Sequence, residues 1–116
     1  MTIPKDLVAA SASPIVLSIL DHGDSYGYAI IQRVRAVSEE RLSWTDGMLY
    51  PVLHRLEAAG WVEAYWQRAD TGRKRKYYHL TDAGREELER LTEQWLVVHA
   101  ALQKLRARPE EKKGDV

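Results

Sequence analysis

Between Trp61 and Leu80 the spacing of apolar side chains changes from that of a helix to that of a strand, and no other feature constrains the fold as much. Trp61 to Gln67 alternates and is rich in aromatics, Ala69-Asp70-Thr71-Gly72 is turn chemistry, and Arg75 to Leu80 reads as a returning strand. The segment is a β-hairpin. Its tip carries Gly72-Arg73-Lys74-Arg75-Lys76-Tyr77-Tyr78, four consecutive cations followed by two tyrosines. Folding gains nothing from like charges side by side, whereas a polyanion such as duplex DNA rewards them by releasing condensed counterions. Taken alone, the run reads equally well as a solvated basic turn.

Three helical patterns precede the hairpin. Leu7 to Leu20 places Leu7, Val8, Ile15, Val16, Ile19 and Leu20 at helical spacing and closes at Asp21-His22-Gly23. Pro14 lacks an amide donor and crowds the preceding turn, so this helix either starts behind Ser13 or is bent at Pro14. A second helix runs from Tyr26 to about Ser38, with Ser25 as the expected N-cap and Ile30, Ile31, Val34 and Val37 facing inward. The third extends from Thr45 or Asp46 to Ala59, with Leu49, Leu53 and Leu56 on one stripe, and stops at Gly60. Pro51 is tolerable there only near the helix start or with a local distortion.

Three helices and then a hairpin is the order of a winged helix-turn-helix, in which the third helix enters a major groove and the wing reaches the flanking backbone. The expected fold class is therefore mainly α with a small β-hairpin, a winged helix-turn-helix domain followed by one long C-terminal helix. In that frame the third helix shows Gly47, Tyr50, Pro51, His54 and Arg55 to DNA, with Asp46 there too as a possible cap. Arg73, Lys74, Arg75 and Lys76 meet phosphate, which supplies affinity and register rather than sequence reading. A pleated strand alternates its faces, so two or three of the four cations are expected to do so. Trp61, Trp66, Tyr77 and Tyr78 are expected to pack in the wing and core.

Thr81 caps the last helix, with Asp82 in its first turn where a negative charge suits the helix dipole. Its apolar positions Leu88, Leu91, Trp95, Val98, Leu102 and Leu105 recur at intervals of three and four, the repeat of a coiled-coil seam. From Asp82 to Arg106 such a helix is about 37 Å long, so part of it must project past its own domain. Each seam residue left in water forgoes roughly 1.5–3 kcal/mol of burial, which favours a two-fold dimer over packing on the first helix of the same chain. A dimer would also set two recognition helices about 34–36 Å apart, on successive turns of a palindromic duplex. The expected organisation is residues 1–81 as the DNA-binding domain, 82–106 as the dimerisation helix and 107–116 as a disordered tail.

Composition narrows the function further. Seventeen Lys and Arg balance seventeen Asp and Glu in 116 residues, so affinity for nucleic acid must come from local segregation. Arg68 to Lys76 supplies it, with five cations against Asp70 alone. Without cysteine there is no disulfide, thiol nucleophile or thiolate metal site, which suits a reducing cytoplasm. No apolar run approaches a membrane span and no secretory leader pattern opens the chain. His22, His54, His79 and His99 fall on four separate elements, without metal-ligand spacing. The expectation is a cytoplasmic protein with no metal, no cofactor, no membrane association and no enzymatic activity.

Three stretches together resemble the PadR-like transcriptional regulators. They are Asp24-Ser25-Tyr26-Gly27-Tyr28, then Gly47 to Gly60 with its Leu49-Tyr50-Pro51 core, then the wing from Gly72 to Thr81. The resemblance runs from about Leu17 to Gly84. It implies a homodimeric repressor that binds palindromic promoter DNA and is released by a small effector. The single C-terminal helix is similar to the short-tailed branch of that family, in some members of which a tryptophan from each subunit lines a pore for flat aromatic compounds. Trp95 stands at the matching place. By the same resemblance Leu7, Ser11 and Ser18 line the opening, and Val98 and His99 join the expected ligand set, His99 without an assigned role. Pro14 lies where the first helix would face that pore. On its residues alone, Trp95 reads equally as a packed anchor of the seam. A winged-helix module that binds a protein partner and never touches DNA is the rival reading of the whole chain.

Overall fold

The computed structural model describes residues 2–107. Except for residue 107, the expected C-terminal tail lies outside the described residues. The elements follow in the order α1 (Lys5–Asp21), β1 (Ser25–Tyr26), α2 (Gly27–Val37), α3 (Asp46–Ala58), β2 (Val62–Arg68), β3 (Lys74–Leu80) and α4 (Asp82–Arg106). Four helices surround a small antiparallel sheet of strand order β1-β3-β2, the architecture of a winged helix. Its core joins Val16 and Leu17 of α1, Ile30 and Val34 of α2, and Leu49, Leu53 and Leu56 of α3 to Val62, Tyr78 and Leu80 of the sheet.

Helix α1 excludes a start at Pro14. It neither begins nor ends at Pro14 but runs through it from Lys5 to Asp21. The second helix departs from expectation at both ends. Ser25 is not its N-cap; with Tyr26 it forms a short strand whose partners are Tyr78 and Tyr77, and the helix starts at Gly27 with no side-chain cap. Val37, expected inside, is exposed at the last turn. Beyond it Glu39 and Glu40 both adopt positive φ, 53° and 65°, a conformation costly for side chains with a Cβ. Bonds from Glu40 N–H to the Arg35 carbonyl (2.8 Å) and from Leu42 N–H to Ser38 Oγ (2.9 Å) hold this connector in place.

Helix α3 is capped by Thr45, whose Oγ1 accepts from the Met48 amide, so Asp46 serves the first turn rather than the cap. Pro51 sits inside the helix without ending it. The junction before α4 is tightly locked. Thr81 Oγ1 donates to the Gly60 carbonyl (2.7 Å) and accepts from the Gly84 amide (3.0 Å), while the Thr81 amide donates to the Trp61 carbonyl (3.1 Å). Gly84 packs so closely on that carbonyl that a Cβ would collide with it. Only glycine fits there.

Along α4 the seam divides. Leu88 is 8% exposed and Leu91 packs on the core, so both are covered by their own chain, against the expectation that all six seam residues await a partner. Trp95 is half-buried, and Val98, Leu102 and Leu105 are exposed, Leu105 at 83%. Leu96 and Val97 are exposed as well. The proximal turns therefore belong to the winged domain and the distal turns present an apolar surface. Among the described residues no helix is long and apolar enough to cross a membrane.

Candidate nucleic-acid interface

Helix α3 buries Leu49, Val52, Leu53 and Leu56, which leaves Gly47, Tyr50, Pro51, His54 and Arg55 on its exposed side. All five residues expected to face DNA thus share one surface. Tyr50 is only 36% exposed because its hydroxyl end lies against Gly27, occupying the space that a Cβ there would need. The first residue of α2 and the middle of α3 are coupled through that contact.

The hairpin is the second component. Its register pairs Val62 with Leu80, Ala64 with Tyr78, Trp66 with Lys76 and Arg68 with Lys74 on one face, and Glu63 with His79, Tyr65 with Tyr77 and Gln67 with Arg75 on the other. The basic run is therefore not a cluster at the apex. Arg73 lies in the turn, Lys74 and Lys76 share the face that becomes core at Tyr78 and Leu80, and Arg75 points the opposite way. Its guanidinium stacks 4.4 Å from the Tyr26 ring centroid, a cation–π contact that holds it within the chain. The turn is tied by bonds from the Ala69 amide to the Arg73 carbonyl (2.7 Å) and from Arg68 Nη1 to the Gly72 carbonyl (2.8 Å). Gly72, at φ +86°, supplies the left-handed residue that the turn requires.

On the Arg75 face the rings of Tyr26, Tyr77 and Tyr65 form a ladder, Tyr77 lying edge-on to Tyr26 at 5.2 Å and stacked on Tyr65 at 5.7 Å. At its end Asp24 accepts from the Tyr65 hydroxyl (2.6 Å) and lies 2.8 Å from His79 Nδ1. The Tyr65 hydrogen bond, aided by His79 and opposed by desolvation, holds the Asp24 carboxyl below its ordinary value. The same bond pushes the Tyr65 phenol up to about 12. Burial raises the Tyr78 phenol, whose hydroxyl has no partner among the described residues. The sequence reading missed this clamp because it depends on β1, a strand that exists only by pairing with Tyr77 and Tyr78. It also misplaced Trp66, which is exposed rather than packed.

The residues expected to hold a ligand converge elsewhere. Leu7, Ser11 and Ser18 of α1 face Trp95 and His99 of α4 across an open groove of about 850 Å³, which continues to Val37 and Glu39 at the α2–α3 connector. Ser11 donates to the Leu7 carbonyl (2.8 Å), so its hydroxyl is turned back onto the helix. Pro14 lines the groove too. Val98, included in the expected ligand set, is not part of the lining, because it projects from another side of α4 among the exposed apolar residues. Among the described residues no group of His, Asp and Glu side chains is arranged to hold a metal ion.

The sequence profile of the transcriptional regulator PadR-like family matches residues 16–90, which includes α2, α3, the hairpin and the start of α4. This chain belongs to the PadR-like family. Solved structures agree with the assignment. A transcriptional regulator from Clostridium thermocellum superposes with a TM-score of 0.80 at 29% identity, covering 89% of this chain and 100% of that one. A Streptococcus mutans protein is 37% identical with a TM-score of 0.79, over 93% of this chain and 98% of its own. A PadR-like transcriptional regulator from Bacillus cereus is 26% identical with a TM-score of 0.78, over 90% of this chain and 100% of that one. The family and the Clostridium thermocellum and Bacillus cereus neighbours are transcriptional regulators, and the winged helix here is that of a DNA-binding regulator.

Proposed function

We propose that this PadR-like protein is a homodimeric repressor of transcription that is released from palindromic promoter DNA by a planar hydrophobic compound bound at its dimer interface. The observation that carries this reading is the position of the groove. Trp95 and His99, which line it from α4, adjoin the distal apolar turns of the same helix, so a ligand there touches the surface on which a second copy would pack. Pairing through Val98, Leu102 and Leu105 covers side chains that otherwise lie in water.

In this reading α3 enters the major groove with Gly47, Tyr50, Pro51, His54 and Arg55 exposed toward base edges and backbone. Arg73 and Lys74 neutralise phosphates, Lys76 joins them from a looser position 5.8 Å from the Tyr78 ring, and Arg75 reaches them only by leaving the Tyr26 ring. Residues 1–81 form the DNA-binding domain and 82–106 the pairing helix. The effector acts by favouring one spacing of the two α3 helices over another, and it shifts operator affinity only as far as its own affinities for the two spacings differ.

The test is direct. Duplex fragments recovered from genomic DNA by the purified protein are titrated by fluorescence anisotropy, with and without flat aromatic compounds, and the mass of the free protein is measured by sedimentation. Sequence-selective binding by a dimer, relieved by such a compound, is the expected result. A monomer with no sequence-selective affinity overturns the reading and leaves the winged helix as a protein-interaction module.

A further inference from the structure

Trp66 is 65% exposed at the outer end of β2, although a tryptophan ordinarily buries on the order of 150–250 Å². Its surroundings are cationic. Lys76 is its direct cross-strand partner, and the next pair on the same face is Arg68 with Lys74. Arg68 is committed to the Gly72 carbonyl and stiffens the turn, whereas Lys74 is exposed. Closer to the domain this same face carries Val62, Tyr78 and Leu80, which are buried in the core together with α3. Trp66 therefore projects from the hairpin on the side where α3 lies, away from the tyrosine ladder and Arg75.

A flat apolar ring framed by lysines does not suit a purely apolar partner, because covering the ring would desolvate the ammonium groups as well. A nucleic-acid duplex accepts both. Its phosphates take the cations, and the sugar edges between them present an apolar wall to the ring. From this complementarity we infer that Trp66 is a DNA-contacting residue, packing its indole on deoxyribose in the minor groove next to the segment read by α3 while Lys74 and Lys76 hold the flanking phosphates. The inference rests on the proposed reading that the wing meets duplex DNA, and assigns the wing a non-ionic anchor in addition to its charge.

The experiment compares wild-type protein with W66A and W66F on a recovered duplex over a series of salt concentrations. In parallel, the protein labelled with 5-fluorotryptophan is followed by fluorine NMR, with W66F assigning the resonance. W66A is expected to bind roughly tenfold more weakly with an unchanged salt slope, because no phosphate contact is lost, and W66F to lose no more than about threefold. The Trp66 resonance shifts on addition of duplex. Binding by W66A within about twofold of wild type overturns the inference, as does a slope reduced by a full phosphate contact. A resonance that responds to protein concentration and not to duplex overturns it in favour of self-association. If wild-type protein selects a duplex and W66A binds it equally well, only this inference falls; if wild-type protein selects no duplex at all, the proposed function falls with it.

Discussion

The hydroxyl of Tyr65 donates to Oδ2 of Asp24 at 2.6 Å, joining the first strand of the wing to the residue just before β1, 41 positions earlier in the chain. The bond turns a flexible hairpin arm into part of the domain and makes its anchorage depend on pH. Asp24 has a folded pKa below its usual 3.8, so its contribution is present above about pH 4 and is lost as pH falls through the lower folded value. Tyr65 behaves oppositely. Its phenol is raised from 10.0 to about 12, so its contribution is complete below pH 10 and is lost as pH rises through about 12. Thermal unfolding followed by circular dichroism is expected to show an acid decline that is flattened in D24N, and both declines flattened in Y65F. Identical acid profiles for wild type and D24N would remove the clamp from the account.

Gly84 and Gly27 separate a rigid collision from a soft one. A Cβ at Gly84 meets the Trp61 carbonyl, whose position is fixed by the Thr81 amide, so G84A is expected to cost on the order of 3 kcal/mol in urea unfolding. At Gly27 the obstruction is the end of the Tyr50 side chain, which can swing outward. G27A is expected to cost about 1 kcal/mol and to change DNA affinity more than stability, because the displaced ring lies on the exposed side of α3.

Operator binding is expected to weaken with salt along a line whose slope counts neutralised phosphates at roughly 0.9 each. Replacing both Arg73 and Lys74 by alanine should reduce that slope by about 1.8, about 0.9 for each, whereas R75A should change it by well under about 0.9, because Arg75 is stacked on Tyr26. A slope reduced by about 0.9 in R75A would show that Arg75 leaves its ring on binding.

Leu102 and Leu105 lie on the distal, unpaired turns of α4. Charged replacements there, L102E with L105E, are expected to yield monomers at micromolar concentration by sedimentation, since roughly 1.5–3 kcal/mol of burial per leucine is lost in each subunit. The helical circular dichroism should stay close to wild type, because the winged domain does not use these residues. By contrast, L88E should damage the fold itself, Leu88 being buried within its own chain.

Flat aromatic compounds are expected to quench tryptophan emission through Trp95, and W95A should abolish the saturable part of that response. Trp61 and Trp44 lie outside the groove and should report nothing specific. Saturable quenching that survives in W95A would place the ligand elsewhere.

Much of this architecture was legible in local chemistry. Thr81 acts as the expected helix cap, and the 3-4 repeat after Asp82 specifies a helix ending at Arg106, whereas the cap of α3 falls to Thr45 rather than to Asp46. What could not be read locally depended on distant pairing. Ser25 resembles an N-cap by type, yet its backbone is drawn into the sheet by Tyr78, more than fifty residues away. The four wing cations look equivalent in sequence, but the pleat sets Arg75 opposite Lys74 and Lys76, and the rings of Tyr26 and Tyr78 engage Arg75 and Lys76. Leu88 and Leu91 share the periodicity of Leu102 and Leu105, and only the position of α1 beside the first turns of α4 decides which pair is already covered.

Because the opening turns of α4 are locked by Thr81, Gly84 and Leu88, the helix acts as a lever whose fulcrum lies inside one winged domain. Over a length of about 37 Å a tilt of only 5° carries the far end through roughly 3 Å, about twice the rise of one helical residue. In the proposed dimer, small angular adjustments between two such arms would be magnified into displacements large enough to misalign the protein with the turns of a double helix.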